Sequence, residues 1–303
     1  MKTRILFFAL VLSCAAGFSQ QDAQYTQYMY NTVNINPAYA GSRGALSVFG
    51  LHRTQWVGLD GAPVTNAFSL NTPIGGSRVG AGLSVVSDRI GPTDENAISA
   101  DVSYTVQTSD TYKLSFGIKA TASIFSLDVD RLNPADAADP SLMNFRNSVT
   151  PNFGAGAYFH SERLYVGLSV PNFFETNRYR DNSVAVYKEK MSYYLMGGYV
   201  FDLAPGIRFK PAFLAKSVEG APLQLDISGN FLVSEKLTLG AAWRWSAAVS
   251  AMAGFQITDG LFVGYGYDME TTRLQRYSSG SHEIFLRFEL FARNDRITSP
   301  RFF

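Results

Sequence analysis

Apolar and polar residues alternate with a period of two along most of the chain. In the segment 96–108 the apolar phase is Ile98, Ala100, Val102, Tyr104 and Val106, and polar residues fill the other phase. The same alternation recurs over 111–126, 222–233 and 236–246. A period of two is typical of a β-strand that has one apolar and one polar face. The pattern therefore predicts an all-β protein.

Followed along the whole chain, the alternation predicts fourteen antiparallel strands. A strand that crosses a membrane needs about 9–11 residues, and an even number of strands lets an antiparallel sheet close into a barrel. The predicted strands are 45–55, 63–72, 78–87, 96–108, 111–126, 151–160, 163–171, 190–202, 206–217, 222–233, 236–246, 248–258, 261–269 and 281–291. We predict a transmembrane outer-membrane β-barrel over residues 44–291.

The connections between these strands alternate in length. One end has short turns at 72–77, 109–110, 160–163, 202–206, 234–235 and 259–260. The other end has the longer connections 87–95, 129–150, 172–189 and 270–280. Bacterial outer-membrane barrels have short periplasmic turns and longer extracellular loops. A soluble β-sandwich gives no reason for this alternation.

The amino-terminal residues predict export. Lys2 and Arg4 precede an apolar run over 5–12 and small residues over 15–19, which is the layout of a secretory signal peptide, so we assign 1–19 to it. The apolar run is too short for a membrane anchor, which needs about 20 residues. Cleavage before Cys14 with lipidation of that cysteine is an alternative. Cys14 is the only cysteine, so no disulfide framework is expected in the exported chain.

Composition agrees with a membrane barrel. The chain has 26 Lys and Arg against 25 Asp and Glu, so no positive excess is available for nucleic-acid phosphates. Charged residues make up only 17% and aromatic residues 14%, and aromatic side chains favour the two membrane–water boundaries. The charges of the predicted strands fall on the polar phase and are expected to face the lumen: Asp101, Lys113, Lys119, Arg208, Lys210, Lys216, Asp226 and Arg244.

Two terminal segments lie outside the strand pattern. Residues 20–43 are rich in Gln, Asn and Tyr, and Pro37 and Gly41 indicate a short helix followed by a turn. Because a cluster of aromatic and apolar side chains is costly to leave in water, we predict a plug or periplasmic segment built on Tyr25, Tyr28, Met29 and Tyr39. A disordered leader is the alternative. Residues 292–303 are expected to form a periplasmic tail, either used in assembly or docking or frayed.

Five stretches resemble one known family. They are 24–41, 53–63 (RTQWVGLDGAP), 87–92 (SDRIGP), 280–283 (GSHE) and 299–303 (SPRFF), in this order over nearly the whole mature chain. Together they are similar to the PorP/SprF family of Bacteroidetes outer-membrane proteins, although that family more often has Pro where this chain has Ala23.

The resemblance implies a component of the type IX secretion and gliding-motility machinery. Its expected role is to bind the C-terminal domain of a large secreted adhesin and to support the export and surface anchoring of that adhesin. Its expected partners are this domain, other type IX secretion components and outer-membrane lipid. The rival hypothesis is an outer-membrane channel or transporter for a small or lipophilic solute, because fourteen strands leave room for a solute path or for a plug.

Candidate partner contacts lie in the first outer hairpin. Arg53, Trp56, Asp60 and Gly61 are placed there by the predicted topology, where they can contact a secreted partner. The structural alternative is an interfacial tryptophan followed by an Asp-Gly tight turn.

Metal and catalytic sites are not indicated. His52, His160 and His282 are far apart in the chain, and no cysteine supports them. The acidic run Asp128, Asp130, Asp136 and Asp139 suggests calcium, but the Gly and Glu positions of a calcium loop hold Asn133 and Asp139. No nucleophile–base pair occurs at a meaningful spacing. We therefore expect neither enzymatic activity, a metal nor a cofactor.

Overall fold

The computed structural model describes residues 28–75, 78–128, 145–177 and 188–290. A short helix α1 (Thr32–Ile35) and a 3-10 turn (Pro37–Tyr39) precede the strands. The strands are β1 (Leu46–Thr54), β2 (Val64–Pro73), β3 (Val79–Ile90), β4 (Thr93–Gln107), β5 (Lys113–Leu127), β6 (Phe145–His160), β7 (Leu164–Val170), β8 (Thr176–Asn177), β9 (Lys188–Glu189), β10 (Ser192–Tyr199), β11 (Phe201–Ala204), β12 (Ile207–Val218), β13 (Gln224–Val233), β14 (Leu237–Arg244), β15 (Ala248–Gln256), β16 (Leu261–Glu270) and β17 (Ser281–Leu290). A second 3-10 turn (Arg273–Arg276) lies before β17.

The strands form one closed barrel. Each strand pairs antiparallel with its neighbours in the chain, and β1 pairs with β17 from Leu46↔Leu290 to Thr54↔His282. β10 and β11 form one strand interrupted at Val200, and β8 and β9 form a separate small hairpin. Fourteen strands therefore close the barrel in the described part of the chain, which confirms the prediction. Closure pairs the first strand with the last, which satisfies backbone groups that would be costly to leave unpaired within the membrane.

The two faces of the wall have opposite chemistry. Outward side chains such as Val102, Phe116 and Ile118 are apolar and exposed, with Ile118 at 66%. Inward side chains are polar and buried, and hydroxyls pair across strands, as between Ser99 and Thr121 at 2.9 Å. The alternation in the sequence thus separates a lipid face from a lumen face. No helix among the described residues is long and apolar enough to cross a membrane.

We take the end with short turns, which joins β2 to β3 and β4 to β5, as periplasmic. Two boundaries on the opposite, extracellular side differ from the predictions. The predicted outer loop 87–95 is a tight turn, because the ladder continues through the pair Ile90↔Thr93 and Gly91 takes a φ of +55°. β6 begins at Phe145 and not at residue 151. In both places the strands continue into polar sequence beyond the membrane, where apolar alternation ends but backbone pairing does not.

Candidate functional site: the plugged lumen and the extracellular rim

The described part of the predicted plug, residues 28–43, lies inside the barrel. It contains α1 and the 3-10 turn, and Pro37 begins that turn, where its missing N–H needs no partner. Asn36 connects the two: its Oδ1 accepts from the Ala38 N–H at 3.0 Å, and its Nδ2 donates to the carbonyl of Ala157 on β6 at 3.0 Å. The local turn is therefore fixed to the wall by one buried side chain.

Aromatic packing holds both ends of this segment. Tyr28, Val33, Ile35 and Tyr39 are buried in a cluster with wall residues that include Tyr158, Tyr165, Met196 and Leu214. On the other side of the lumen, the Tyr30 ring lies 5.3 Å from Phe262 and 4.8 Å from Phe285, centroid to centroid. Burial raises the pKa of Tyr30 to about 12, because the charged phenolate is costly in this packed interior.

Three lumen-facing glycines make room for the plug, two for its backbone and one for the Asn36 side chain. A Cβ on Gly80 would lie 2.1 Å from the Ala40 carbonyl oxygen, and one on Gly117 would lie 2.3 Å from the Ala38 nitrogen. A Cβ on Gly156 would lie 2.2 Å from Asn36 Oδ1. Such distances are far below van der Waals contact, so the wall is shaped to receive this segment.

Polar contacts anchor the plug to several strands. The Ser103 hydroxyl donates to the Ala40 carbonyl at 2.7 Å, and the Ser69 hydroxyl donates to Asn31 Oδ1 at 2.8 Å. Where the plug meets β1, buried Arg43 forms an ion pair with Glu289 of β17. These contacts involve β2, β4 and β17, so the plug is bound to several separate strands of the wall.

Towards the extracellular side, five charged residues form a layer across the lumen. Each is the eighth residue from the periplasmic end of its strand: 46 to 53 in β1, 233 to 226 in β13, 237 to 244 in β14, 261 to 268 in β16 and 290 to 283 in β17. We call Arg53, Asp226, Arg244, Asp268 and Glu283 the outer ion layer. Arg53 lies 2.7 Å from Asp268 and 3.1 Å from Glu283. Arg244 lies 2.8 Å from Asp226, which stands opposite it across the hairpin.

A basic cluster lies nearer the periplasmic end. Arg287 packs over the rings of Phe262 and Tyr30, at 5.0 Å and 5.6 Å, and the Lys210 ammonium lies 5.8 Å from the Tyr30 ring centroid. Arg43 and Glu289 complete this cluster. Aromatic faces stabilise buried cations, so Tyr30 of the plug links the basic groups of β12 and β17.

The predicted lumen charges occupy several environments. Asp101 and Lys119 are buried and lie 2.9 Å apart, as a directly opposed pair of β4 and β5. Lys210, Lys216 and Asp226 are also buried, and Arg244 is half-buried. Arg208 is half-buried at the periplasmic rim beside Asp202, and Lys113 is exposed at the same end. Tyr25 lies outside the described residues.

The four predicted partner contacts are separated by the structure. Arg53 lies inside the lumen and is 1% exposed, which corrects its placement in the outer hairpin. Trp56 is half-buried in that hairpin and donates from Nε1 to Glu270 at 3.0 Å. Asp60 and Gly61 are exposed, and the Gly61 carbonyl accepts from the Gly91 N–H at 2.9 Å. Of the four residues, Trp56, Asp60 and Gly61 therefore lie in the extracellular hairpin, and Arg53 lies below it in the lumen.

The first and last extracellular loops are joined by their backbones. The Val57 N–H donates to the Gly280 carbonyl at 2.9 Å, and the Ser279 N–H donates to the Val57 carbonyl at 2.8 Å. Trp56 adopts a φ of +47°, and its backbone N–H donates to the Ser281 hydroxyl at 3.2 Å. These hydrogen bonds hold the two loops together above the pair formed by β1 and β17.

The three histidines have separate local partners. His52 Nδ1 lies 2.8 Å from Asn66 Oδ1, and His282 Nδ1 lies 2.5 Å from the Tyr265 hydroxyl. His160 is buried, with its ring centroid 5.1 Å from that of Tyr158. Within the described ranges, no group of three or more His, Cys, Asp or Glu is placed to hold a metal ion. Asp130, Asp136 and Asp139 of the considered calcium run lie outside these ranges.

The sequence analysis did not identify several charged residues that form the lumen site. Asp268, Glu283, Arg287 and Glu289 lie on the polar phase of predicted strands, so the alternation alone could have assigned them to the lumen. Asn36 gave no comparable signal, because its role depends on the distant strands β6 and β7.

The closed antiparallel wall, its apolar outer face and its polar lumen define an outer-membrane β-barrel. A family model described as "Type IX secretion system membrane protein PorP/SprF" matches residues 17–288. The chain therefore belongs to the PorP/SprF family, as the sequence motifs suggested, and it is an outer-membrane protein of type IX secretion.

Solved structures with a similar fold have little sequence in common with this chain. The Acinetobacter baumannii outer membrane protein Omp33 is 12% identical, with 81% of this chain and 98% of that chain covered and a TM-score of 0.47. A TodX deltaS2S3 mutant, a monoaromatic hydrocarbon channel, is 11% identical, with 88% and 94% covered and a TM-score of 0.49. The KdgM porin is 10% identical, with 81% and 99% covered and a TM-score of 0.40. No curated protein sequence matches the chain.

Proposed function

We propose that this barrel is a binding scaffold of type IX secretion that engages the C-terminal domain of a secreted adhesin and supports its export and surface anchoring. Family membership supports a role beside other type IX secretion components. The proposal includes the gliding machinery among the assemblies that this barrel serves. The proposed role needs a stable surface that faces the partner and contains no catalytic step.

The observation that carries this proposal is the occupied lumen. Residues 28–43 lie inside the barrel, Ala38 and Asn36 are fully buried there, and glycines of three strands make room for their backbone and for the Asn36 side chain. A solute channel needs a continuous polar path, whereas a scaffold gains stiffness from a packed interior. The occupied lumen therefore favours the scaffold over the channel or transporter for a small or lipophilic solute.

Binding of the partner is the test. The purified barrel in detergent is titrated with the C-terminal domains of the organism's large exported proteins, one at a time, and with an unrelated periplasmic domain as control. We expect saturable binding of at least one secretion domain and no binding of the control. If none of these domains binds, and if the barrel conducts ions steadily in planar bilayers, the channel becomes the better account.

A further inference from the structure

Polar and aromatic side chains form a patch on the lipid face of four adjacent strands, β16, β17, β1 and β2. Each of them stands between two buried residues of its strand, so it points out of the barrel. The register places Asn66 opposite His52 and Tyr267 opposite His282. His52 is a diagonal neighbour of His282, which stands opposite Thr54. We call this set the seam patch: His52, Asn66, Tyr265, Tyr267 and His282.

The seam patch lies at the extracellular boundary of the hydrocarbon region. His52 is the seventh residue from the periplasmic end of its strand, counted from 46 to 52, and Tyr267 is also the seventh, from 261 to 267. Asn66 is the eighth, from 73 to 66, and His282 is the ninth, from 290 to 282. Because a tilted strand crosses the membrane in about 9–11 residues, these side chains face the headgroup region of the outer leaflet.

Other strands carry apolar or aromatic side chains at this height. Six exposed residues, each the seventh or eighth from the periplasmic end of its strand, have no charge, amide or imidazole: Val85, Phe153, Tyr193, Ile227, Trp243 and Val249. Polar groups on an apolar surface are costly unless they are hydrogen-bonded, and ionisable residues at membrane depth mark functional sites. Contact with lipid tails therefore does not account for the seam patch.

The wall bonds one nitrogen of each imidazole in the patch. His52 Nδ1 lies 2.8 Å from Asn66 Oδ1, and His282 Nδ1 lies 2.5 Å from the Tyr265 hydroxyl. The ring geometry holds the second nitrogen, Nε2, away from this contact, and the Asn66 amide also has two N–H donors on Nδ2. The rings of Tyr267 and Tyr265 lie 5.2 Å and 6.1 Å from that of His282, centroid to centroid. The patch thus combines hydrogen-bonding groups with flat aromatic faces.

We infer that the seam patch binds the sugar headgroup of a glycolipid in the outer leaflet. Sugar hydroxyls both donate and accept hydrogen bonds, and sugar rings have apolar C–H faces, which matches imidazole and amide groups beside tyrosine rings. The occupant is a lipid because the patch faces the membrane and not the lumen. The inference is independent of the proposed function.

The charge of this region favours a sugar over a phosphate. A phosphate is bound best by cations that form charge-assisted hydrogen bonds with it. Arg89 of β3 is the diagonal neighbour of Asn66 on the lipid face, but it already lies 2.6 Å from the carboxylate of Asp94. Binding of the headgroup is therefore expected to depend little on salt.

Retention of lipid by the purified full-length barrel is the test. The barrel is delipidated in a detergent without a sugar headgroup and titrated with lipopolysaccharide from the same organism or with phosphatidylglycerol. Native mass spectrometry measures the bound lipid. We expect saturable retention of lipopolysaccharide that persists at high salt, and little retention of phosphatidylglycerol.

The double variant His52→Leu, His282→Leu removes both imidazoles and keeps the lipid face apolar. We expect its affinity for lipopolysaccharide to fall about tenfold, because two hydrogen bonds to the headgroup are lost. Tyr193→Leu is the matched control, since it removes an exposed phenol at the same height on β10 and should bind like wild type. Heat-modifiable migration on gels checks the folding of each variant.

A photo-crosslinking residue provides a second measurement in case the double variant does not fold. It is placed at position 54, opposite His282 on the lipid face, in the otherwise unchanged barrel. Position 227, at the boundary height on β13, is the control. After delipidation and addition of lipopolysaccharide, we expect crosslinks to this lipid from 54 and none from 227.

The remaining outcomes contradict the inference in distinguishable ways. If the double variant retains lipopolysaccharide as wild type does, the seam patch is not the site. If Tyr193→Leu loses as much affinity, retention depends on the whole membrane boundary. If phosphatidylglycerol binds equally well, the sugar is not what is recognised. If no lipid is retained and the barrel forms dimers that the double variant dissociates, the patch binds a second copy of the chain.

Discussion

The Arg53 guanidinium lies 3.1 Å from the Glu283 carboxylate, and the two residues stand directly opposite each other on the first and last strands of the barrel. They are 230 residues apart in the chain, so their pairing exists only once the barrel has closed. Asp268 of β16 binds the same guanidinium at 2.7 Å. One cation thus connects three strands at the closure seam.

Arg53→Met is expected to destabilise the barrel strongly. The substitution leaves two buried carboxylates without their cation, and removing one partner of a buried ion pair costs about 3–5 kcal/mol. The free energy of unfolding in urea, followed by heat-modifiable migration, measures the change.

Arg89→Met is the matched control for this substitution. Arg89 also binds a carboxylate, that of Asp94 at 2.6 Å, but its side chain is 62% exposed, so little change is expected. If the two variants lose the same free energy of unfolding, burial of the Arg53 cluster does not matter for closure.

Gly117→Ala is expected to displace the plug. The new Cβ would meet the Ala38 nitrogen at 2.3 Å, and overpacking of this kind costs about 1–3 kcal/mol. Displacement should expose residues 28–43 to protease and raise ion conductance in planar bilayers. Gly50→Ala is the control, because its Cβ would meet only Leu286 side-chain atoms at 3.8 Å. If residues 28–43 of Gly117→Ala stay as protected from protease as in wild type, the plug does not depend on this glycine.

Arg43→Glu is expected to loosen the junction of plug and wall. It places a second carboxylate beside Glu289 and removes the donor to the Tyr39 hydroxyl, now at 3.3 Å. Hydrogen exchange over 28–43 should become faster. The double variant Arg43→Glu, Glu289→Arg should recover part of the protection, since the opposite charges are restored. No recovery would indicate that Arg43 acts through packing and not through this pair.

Trp56→Phe is expected to loosen the extracellular rim without affecting the barrel. An aromatic ring is kept, although a smaller one, and the hydrogen bond from Nε1 to Glu270 is lost, which destabilises the rim by about 1 kcal/mol. Faster proteolysis within 55–63 is the measurement. Val57→Ala is the control, because it keeps both backbone bonds to the last loop. If both variants are cleaved at similar rates, the hydrogen bond of the indole does not hold the rim in place.

The sequence pattern predicted the wall well, because the lipid-facing and lumen-facing residues of each strand alternate along the chain. Asp101 and Lys119, and likewise Asp226 and Arg244, were assigned to the lumen, and each pair belongs to one hairpin, so its register is a local property. The Arg53 cluster was missed because it depends on closure between β1 and β17.

The plug was predicted from the turn signals at Pro37 and Gly41 and from the cost of leaving its aromatic and apolar side chains in water. Its fit depends on Gly80, Gly117 and Gly156, which come together only when three strands are curved around it.

Surface display of exported proteins in a strain that lacks this barrel tests the central claim most directly. Peptides released from intact cells by protease are quantified by mass spectrometry in the deletion strain, in wild type and in the deletion strain that carries the gene again. The account predicts that at least one large protein with a type IX C-terminal domain disappears from the surface and returns on complementation. An unchanged set of surface proteins in the deletion strain would contradict it.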